Sequence, residues 1–159
     1  MFDVGDMAVY PAHGVGQIES IESREVGDLK QFFYVIRIVE SNMIIMIPTN
    51  TSESVGLRAI IESDQVDKIY SILKKRDVII ESQPWNQRYR NYMEKIKTGS
   101  VFEIAQVLRD LYILKEDKTL SFGERKMMDT AQSLLVKEIS IANASKEDVV
   151  VDSISHIFA

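Results

Sequence analysis

Leu57-Arg58-Ala59-Ile60-Ile61-Glu62-Ser63-Asp64-Gln65-Val66-Asp67-Lys68-Ile69-Tyr70-Ser71-Ile72-Leu73 is where the chain changes period. Leu57 to Ile61 is a short β-branched and apolar run, as strands are. Val66, Ile69, Tyr70 and Leu73 instead fall three and four apart, on one face of a helix. Before this stretch the chain reads as short strands. Val4-Gly5-Asp6-Met7-Ala8-Val9-Tyr10 stops at Pro11, and Gly14-Val15-Gly16 turns into a second run from Gln17 to Glu22. Phe32 to Val39 is a third strand, Ser41-Asn42 a turn, and Met43 to Ile47 a fourth strand ending at Pro48. With Leu57 to Ile61, these five short strands predict a small SH3- or Tudor-like β-barrel.

Beyond it the signals are helical. Pro84 can begin a helix bearing Trp85, Tyr89, Tyr92, Met93 and Ile96, which Gly99 can end. Ser100-Val101-Phe102-Glu103 has the form of a capping box, in which Ser and Glu side chains satisfy each other's backbone N–H groups. Ile104, Leu108, Leu111 and Tyr112 form the apolar face behind it. Ser121-Phe122-Gly123-Glu124 is a second box, leading a helix to about Ala142, and Ser145-Lys146-Glu147-Asp148 opens a last one through Phe158. The expected architecture is α+β in two domains: a barrel over residues 1–65 and a compact bundle of about five helices over 66–159.

Composition narrows the class. The 159 residues are 45% hydrophobic and 27% charged, ordinary for a folded globular protein, and include no cysteine. Disulfides and thiolate metal sites are thereby excluded. No apolar run approaches the roughly 20 residues of a membrane span. The N-terminus lacks a charged-then-apolar leader pattern. A cytoplasmic protein is expected. The net charge of −5 argues against indiscriminate nucleic-acid binding. Charge is unevenly spread, however. Residues 1–70 carry 5 basic and 11 acidic side chains, and residues 71–138 carry 13 basic and 10 acidic. DNA would favour the second stretch.

Enzyme chemistry finds little support. His13 and His156, the only histidines, lie in different predicted domains. Gly14-x-Gly16 lacks the third glycine of a dinucleotide fingerprint, since Glu19 stands there. There is no nucleophile elbow, phosphate loop or His-Glu-x-x-His. No catalytic residue, metal ligand or cofactor is expected.

Two constellations carry more information. Trp85-Asn86-Gln87-Arg88-Tyr89-Arg90-Asn91-Tyr92 gathers the only tryptophan, two tyrosines and two arginines. Two readings are open. Trp85 and Tyr89 could belong to the core with the arginines solvated. Alternatively, the arginines could meet phosphates while an exposed ring enters the minor groove or stacks on an unpaired base. Met43-Ile44-Ile45-Met46-Ile47-Pro48 is apolar on both faces. It fits either a strand buried on both sides or an edge strand that meets a partner's strand.

Taken together, Val4-Gly5-Asp6 through Tyr10-Pro11-Ala12-His13-Gly14-Val15-Gly16, Met46-Ile47-Pro48, Gly56-Leu57-Arg58, Trp85-x-x-Arg88-Tyr89, Glu94-Lys95-Ile96-Lys97-Thr98-Gly99, Val107-x-Arg109-Asp110-Leu111 and Leu120-Ser121-x-x-Glu124-Arg125 resemble the CarD/CdnL family of bacterial transcription regulators. The order and spacing run through nearly the whole chain. The resemblance implies an N-terminal Tudor-like domain that docks on the RNA polymerase β subunit. It further implies a helical domain that contacts promoter DNA at the upstream edge of the melted bubble and stabilises the open complex, notably at ribosomal RNA promoters. By position, Arg24, Met46 and Pro48 fall where the family's polymerase contacts lie. Trp85, Arg88 and Arg90 fall in its DNA-facing patch, which Met93 and Phe122 extend. Met46 stands where some members have arginine, and Gln87 where some have a basic residue.

The implied mechanism is non-catalytic. Docking raises the local concentration of the helical domain at DNA, so weak, largely non-specific DNA affinity suffices. Trp85 then wedges at the fork of the bubble and favours the opened geometry. The competing expectation is a Tudor-like protein–protein adaptor without DNA contact, which a fully buried Trp85 would favour. A monomer is expected, with a dimer swapped through the Met43–Ile47 edge as the alternative.

Overall fold

The computed structural model describes residues 1–78, 80 and 83–159. The chain divides into two compact units, Met1–Ile60 and Ile61–Ala159. The class is α+β: the first unit holds a five-stranded antiparallel sheet and the second five α-helices.

The strands are β1 (Met7–Tyr10), β2 (Gly14–Val26), β3 (Leu29–Ile38), β4 (Ile44–Pro48) and β5 (Arg58–Ala59), in the order β4-β3-β2-β1-β5. Ala8, Ile18, Tyr34, Ile36, Ile38, Ile47 and Leu57 form the core on one face of the sheet. The central pair is longer than the sequence suggests. β2 and β3 run as a hairpin out to the pairs Glu25↔Lys30 and Val26↔Leu29. Gly27, at φ +66, takes the first central position of a two-residue turn, where the backbone conformation excludes most side chains. The outer half of this hairpin is exposed on both faces, so it lacks the alternation that announces a half-buried strand. A bulge between Ile18 and Ser20 interrupts the β2–β3 ladder. At the next turn, the Ile38 N–H donates to the Met43 carbonyl, with Asn42 at φ +60 supplying the reversal.

The helical unit comprises α1 (Val66–Lys74), α2 (Trp85–Lys97), α3 (Val101–Asp117), α4 (Phe122–Ala142) and α5 (Glu147–Ile157). α3 is the hub. Its buried Ile104, Ala105, Val107, Leu108 and Leu111 meet Ile69 and Leu73 of α1, Tyr92 and Ile96 of α2, and Ala131 and Leu135 of α4 in one cluster. Each fully buried leucine contributes roughly 1.5–3 kcal/mol relative to exposure. The rings of Tyr112 and Phe158 stack at 3.9 Å and fasten the C-terminus.

Of the two capping boxes, the one at α4 forms: Ser121 Oγ accepts from the Glu124 N–H at 3.2 Å, and Glu124 Oε1 accepts from the Ser121 N–H at 2.9 Å. The one at α3 does not. Ser100 is the N-cap residue but makes no side-chain cap bond, and its own N–H donates to Thr98 Oγ1 at 3.2 Å. Thr98 Oγ1, two residues back in the chain, takes the place expected of Glu103. No helix among the described residues is long and apolar enough to cross a membrane.

Candidate functional site

Two surfaces hold the residues singled out above, one in each unit. The first is the face of the sheet away from the core. β4 is an end strand, so its outer backbone edge has no strand beside it among the described residues. Ile45 and Ile47 turn toward the core, whereas Ile44 and Met46 are 48% and 39% exposed. The doubly apolar stretch is therefore an edge strand with an apolar outward face. Val35 pairs with Met46 and Phe33 with Pro48 across β3–β4. Ser20 pairs with Val35, Glu22 with Phe33 and Arg24 with Gln31 across β2–β3. Directly paired residues share a sheet face. Arg24, Met46 and Pro48 therefore lie on one surface, with Phe33 and Val35 between the last two and β2. Phe33 and Val35 were not singled out in the sequence, because their facing follows from the pairing register. Arg24 is exposed and forms only a loose 3.9 Å ion pair with Glu22.

The second surface joins the N-terminal ends of α2 and α4. Trp85, the first residue of α2, is half-buried against the helical core. The Nε1–Cε2–Cζ2 side of its indole packs against Gly123, where a Cβ would meet those three ring atoms at 3.1–3.3 Å. The Tyr89 ring, 45% exposed, stands edge-on to the indole at 5.7 Å. Phe122 is 74% exposed, the barest aromatic ring in the chain. Arg90 is exposed and makes no ion pair among the described residues. Met93 is half-buried one turn beyond Tyr89.

Arg88, expected as a phosphate contact, is turned inward. Its side chain is only 12% exposed, and Nη1 donates to Glu124 Oε2 at 2.8 Å. Nη2 donates to the Gln83 carbonyl at 3.1 Å. The reason is the Glu124 carboxylate, 2% exposed, which would lie buried and under-compensated without a cation. Lys118 Nζ adds a second cation at 3.2 Å. Burial would raise the Glu124 carboxyl, but the Ser121 N–H, Lys118 and Ser121 Oγ outweigh it and hold it below the ordinary carboxylate range. Nothing in the sequence pairs positions 88 and 124. The capping box showed Glu124 facing Ser121 and gave no sign that its second oxygen faces α2.

His13 and His156 lie in different units. His13 Nδ1 stands 3.1 Å from the Pro11 carbonyl in a turn, and His156 Nδ1 2.8 Å from the Asp152 carbonyl on α5. Among the described residues no group of three or more His, Asp or Glu side chains could hold a metal ion.

Known proteins account for both units. Residues 2–61 match the family model described as CarD-like/TRCF RID domain, and residues 68–155 match CarD, C-terminal domain. This chain belongs to the CarD/CdnL family. The protein named "Putative transcription factor YdeB" of Bacillus subtilis (strain 168) is 40% identical over 149 residues, which span 92% of this chain and 95% of that protein. The solved structure named "CdnLNt from Myxoccoccus xanthus" is 56% identical over 38% of this chain and 86% of its own, with a TM-score of 0.33.

Proposed function

We propose that this CarD/CdnL protein is a cytoplasmic transcription regulator that docks on the RNA polymerase β subunit and stabilises the promoter open complex. The sheet unit acts as a Tudor-like docking domain. Its partner is a strand of the β subunit laid along β4, with Met46, Ile44 and Pro48 giving apolar contact and Arg24 a peripheral charge. Main-chain bonds at a free edge supply affinity, and the outward side chains supply selectivity. The helical unit acts as the DNA-contacting domain at the upstream edge of the bubble. Trp85 and Phe122, with Tyr89 and Met93 beside them, form its wedge. Arg90 serves as phosphate contact, and Arg88 acts through Glu124.

The observation that carries this reading is the Trp85 surface. A half-buried indole packed on Gly123, an exposed phenyl ring and an exposed arginine suit a backbone and an unpaired base together. A spacer helix has no use for such a group. The protein acts as a monomer whose DNA affinity is weak and sequence-tolerant, as its net charge of −5 suits. Ribosomal RNA promoters are its principal targets.

The deciding experiment is competitor-challenged decay of open complexes on a ribosomal promoter, with wild-type protein and Trp85→Ala. A shorter lifetime with unchanged binding to the β lobe is expected. Equal lifetimes would reject DNA contact and favour an adaptor.

A further inference from the structure

We propose that Glu124 is the positioning residue of the wedge: one buried carboxylate that closes the α4 capping box with one oxygen and takes Arg88 of α2 with the other, so that Trp85 is seated on Gly123 and Phe122 stands clear. This deepens the reading above and rests on it. Nothing in that reading requires the aromatic surface to be held from beneath.

The geometry runs through named atoms. Glu124 Oε1 accepts from the Ser121 N–H at 2.9 Å, which fixes the first turn of α4. Phe122 and Gly123 are the two residues of that turn between Ser121 and Glu124. Glu124 Oε2 accepts from Arg88 Nη1 at 2.8 Å, and Arg88 Nη2 passes the constraint to the Gln83 carbonyl at 3.1 Å. Gln83 stands two residues before Trp85. The carboxylate thus fixes the backbone on both sides of the indole contact: Gly123 next to it in sequence, and the entry to α2 through the guanidinium. Arg88 Nε is buried without a partner among the described residues, so the guanidinium is held by its two Nη groups. Without the Glu124 charge, Arg88 keeps only the neutral Gln83 carbonyl as a hydrogen-bond acceptor among the described residues.

Seating matters because a wedge acts only in a fixed orientation. The indole packs on Gly123 through its Nε1–Cε2–Cζ2 side, with those ring atoms 3.1–3.3 Å from where a Cβ would be. The remainder of the ring is left for DNA. A mobile indole would lose rotamer entropy on every engagement, and part of its contact would be offset.

Trp85 is the only tryptophan, so its fluorescence reports the seat directly. The test uses the full chain with Glu124→Gln and, separately, Gly123→Ala. Glutamine keeps an oxygen for the Ser121 N–H but offers Arg88 no charge. Alanine keeps helix α4 and pushes the ring off. Both are expected to shift Trp85 emission to longer wavelength and increase its quenching by acrylamide, with helix content by circular dichroism and β-lobe affinity unchanged. Open-complex lifetime should fall by roughly tenfold, the order of one lost base–aromatic stack. Adding Glu124→Gln to Trp85→Ala should cause no further loss, since both act through one group. Unaltered emission and quenching in the folded variants would overturn the proposal, as would additive losses in the double variant. Should Glu124→Gln fail to fold, Arg88→Gln, which breaks the same link from the α2 side, is read by the same emission and quenching, and unaltered values there would overturn the proposal. If Trp85→Ala itself leaves lifetime unchanged, the wedge reading fails, while the optical measurements still judge the seat.

Discussion

The indole of Trp85 rests on Gly123 so closely that a methyl group on that glycine would stand 3.1 Å from the ring. The contact makes Trp85 partly structural. Trp85→Ala should therefore destabilise the protein by about 1–2 kcal/mol, below the roughly 3–5 kcal/mol of a fully buried aromatic. A melting curve beside the open-complex decay separates this loss from the functional one. A destabilisation in the fully buried range with wild-type decay would make Trp85 a core residue.

Met46 tests the other surface. It is 39% exposed at the sheet edge, so Met46→Asp should leave the melting temperature within about 2 °C of wild type. The same change sets a carboxylate in an apolar contact, where desolvation should weaken β-lobe binding by more than tenfold. Titration of the folded variant against the isolated lobe measures it, and wild-type affinity would remove β4 from the interface.

The two arginines should part company. Arg90→Ala should flatten the plot of log DNA affinity against log salt by up to about one unit, with stability unchanged. Arg88→Ala should leave that slope alone. Instead it should cost about 2–3 kcal/mol, because the buried Glu124 carboxylate keeps Lys118 as its one cation among the described residues and loses the donor to Oε2. Salt titrations and denaturant curves on both variants distinguish the two. A reduced slope for Arg88→Ala would place that guanidinium on DNA.

Alkaline stability should report Tyr92. Burial first, and the charge of Asp110 second, push its phenol up to about 12, with Arg88 acting against them. The folded value exceeds the usual 10, so the stabilisation is fully present below pH 10 and lost as pH rises toward 12. Tyr92→Phe should remove this part of the decline. Denaturant midpoints for wild type and variant that fall in parallel from pH 9 to 11.5 would contradict it.

What was legible in the sequence follows from the range of each signal. Helical periodicity and capping chemistry are local, and α2, α3 and α4 begin close to where Pro84, Ser100 and Ser121 indicate. Strand ends were less legible. The outer β2–β3 hairpin faces solvent on both sides, and Arg24, Glu25 and Lys30 fall outside the runs that the sequence marks as strands. The wedge region was legible from Trp85 and its neighbours because unusual side chains cluster within eight residues. The Arg88–Glu124 pair was not, because it joins positions 36 apart. Which of two nearby arginines is solvated depends on the acceptor across the helix interface.

The bulge between Ile18 and Ser20 has the character of a reading frame. Up to Ile18, even-numbered residues of β2 point to the core; beyond the single extra residue they point away, so that Arg24 shares a surface with Met46. If the same residues alternated strictly with no bulge, Arg24 would fall on the opposite side of the sheet. Substitutions along the hairpin can tune the docking surface one position at a time. A change that straightened the ladder at unchanged length would invert its polarity over the whole outer hairpin, whereas loss of the one extra residue would keep Arg24 beside Met46, so what must be preserved here is the register beyond the bulge.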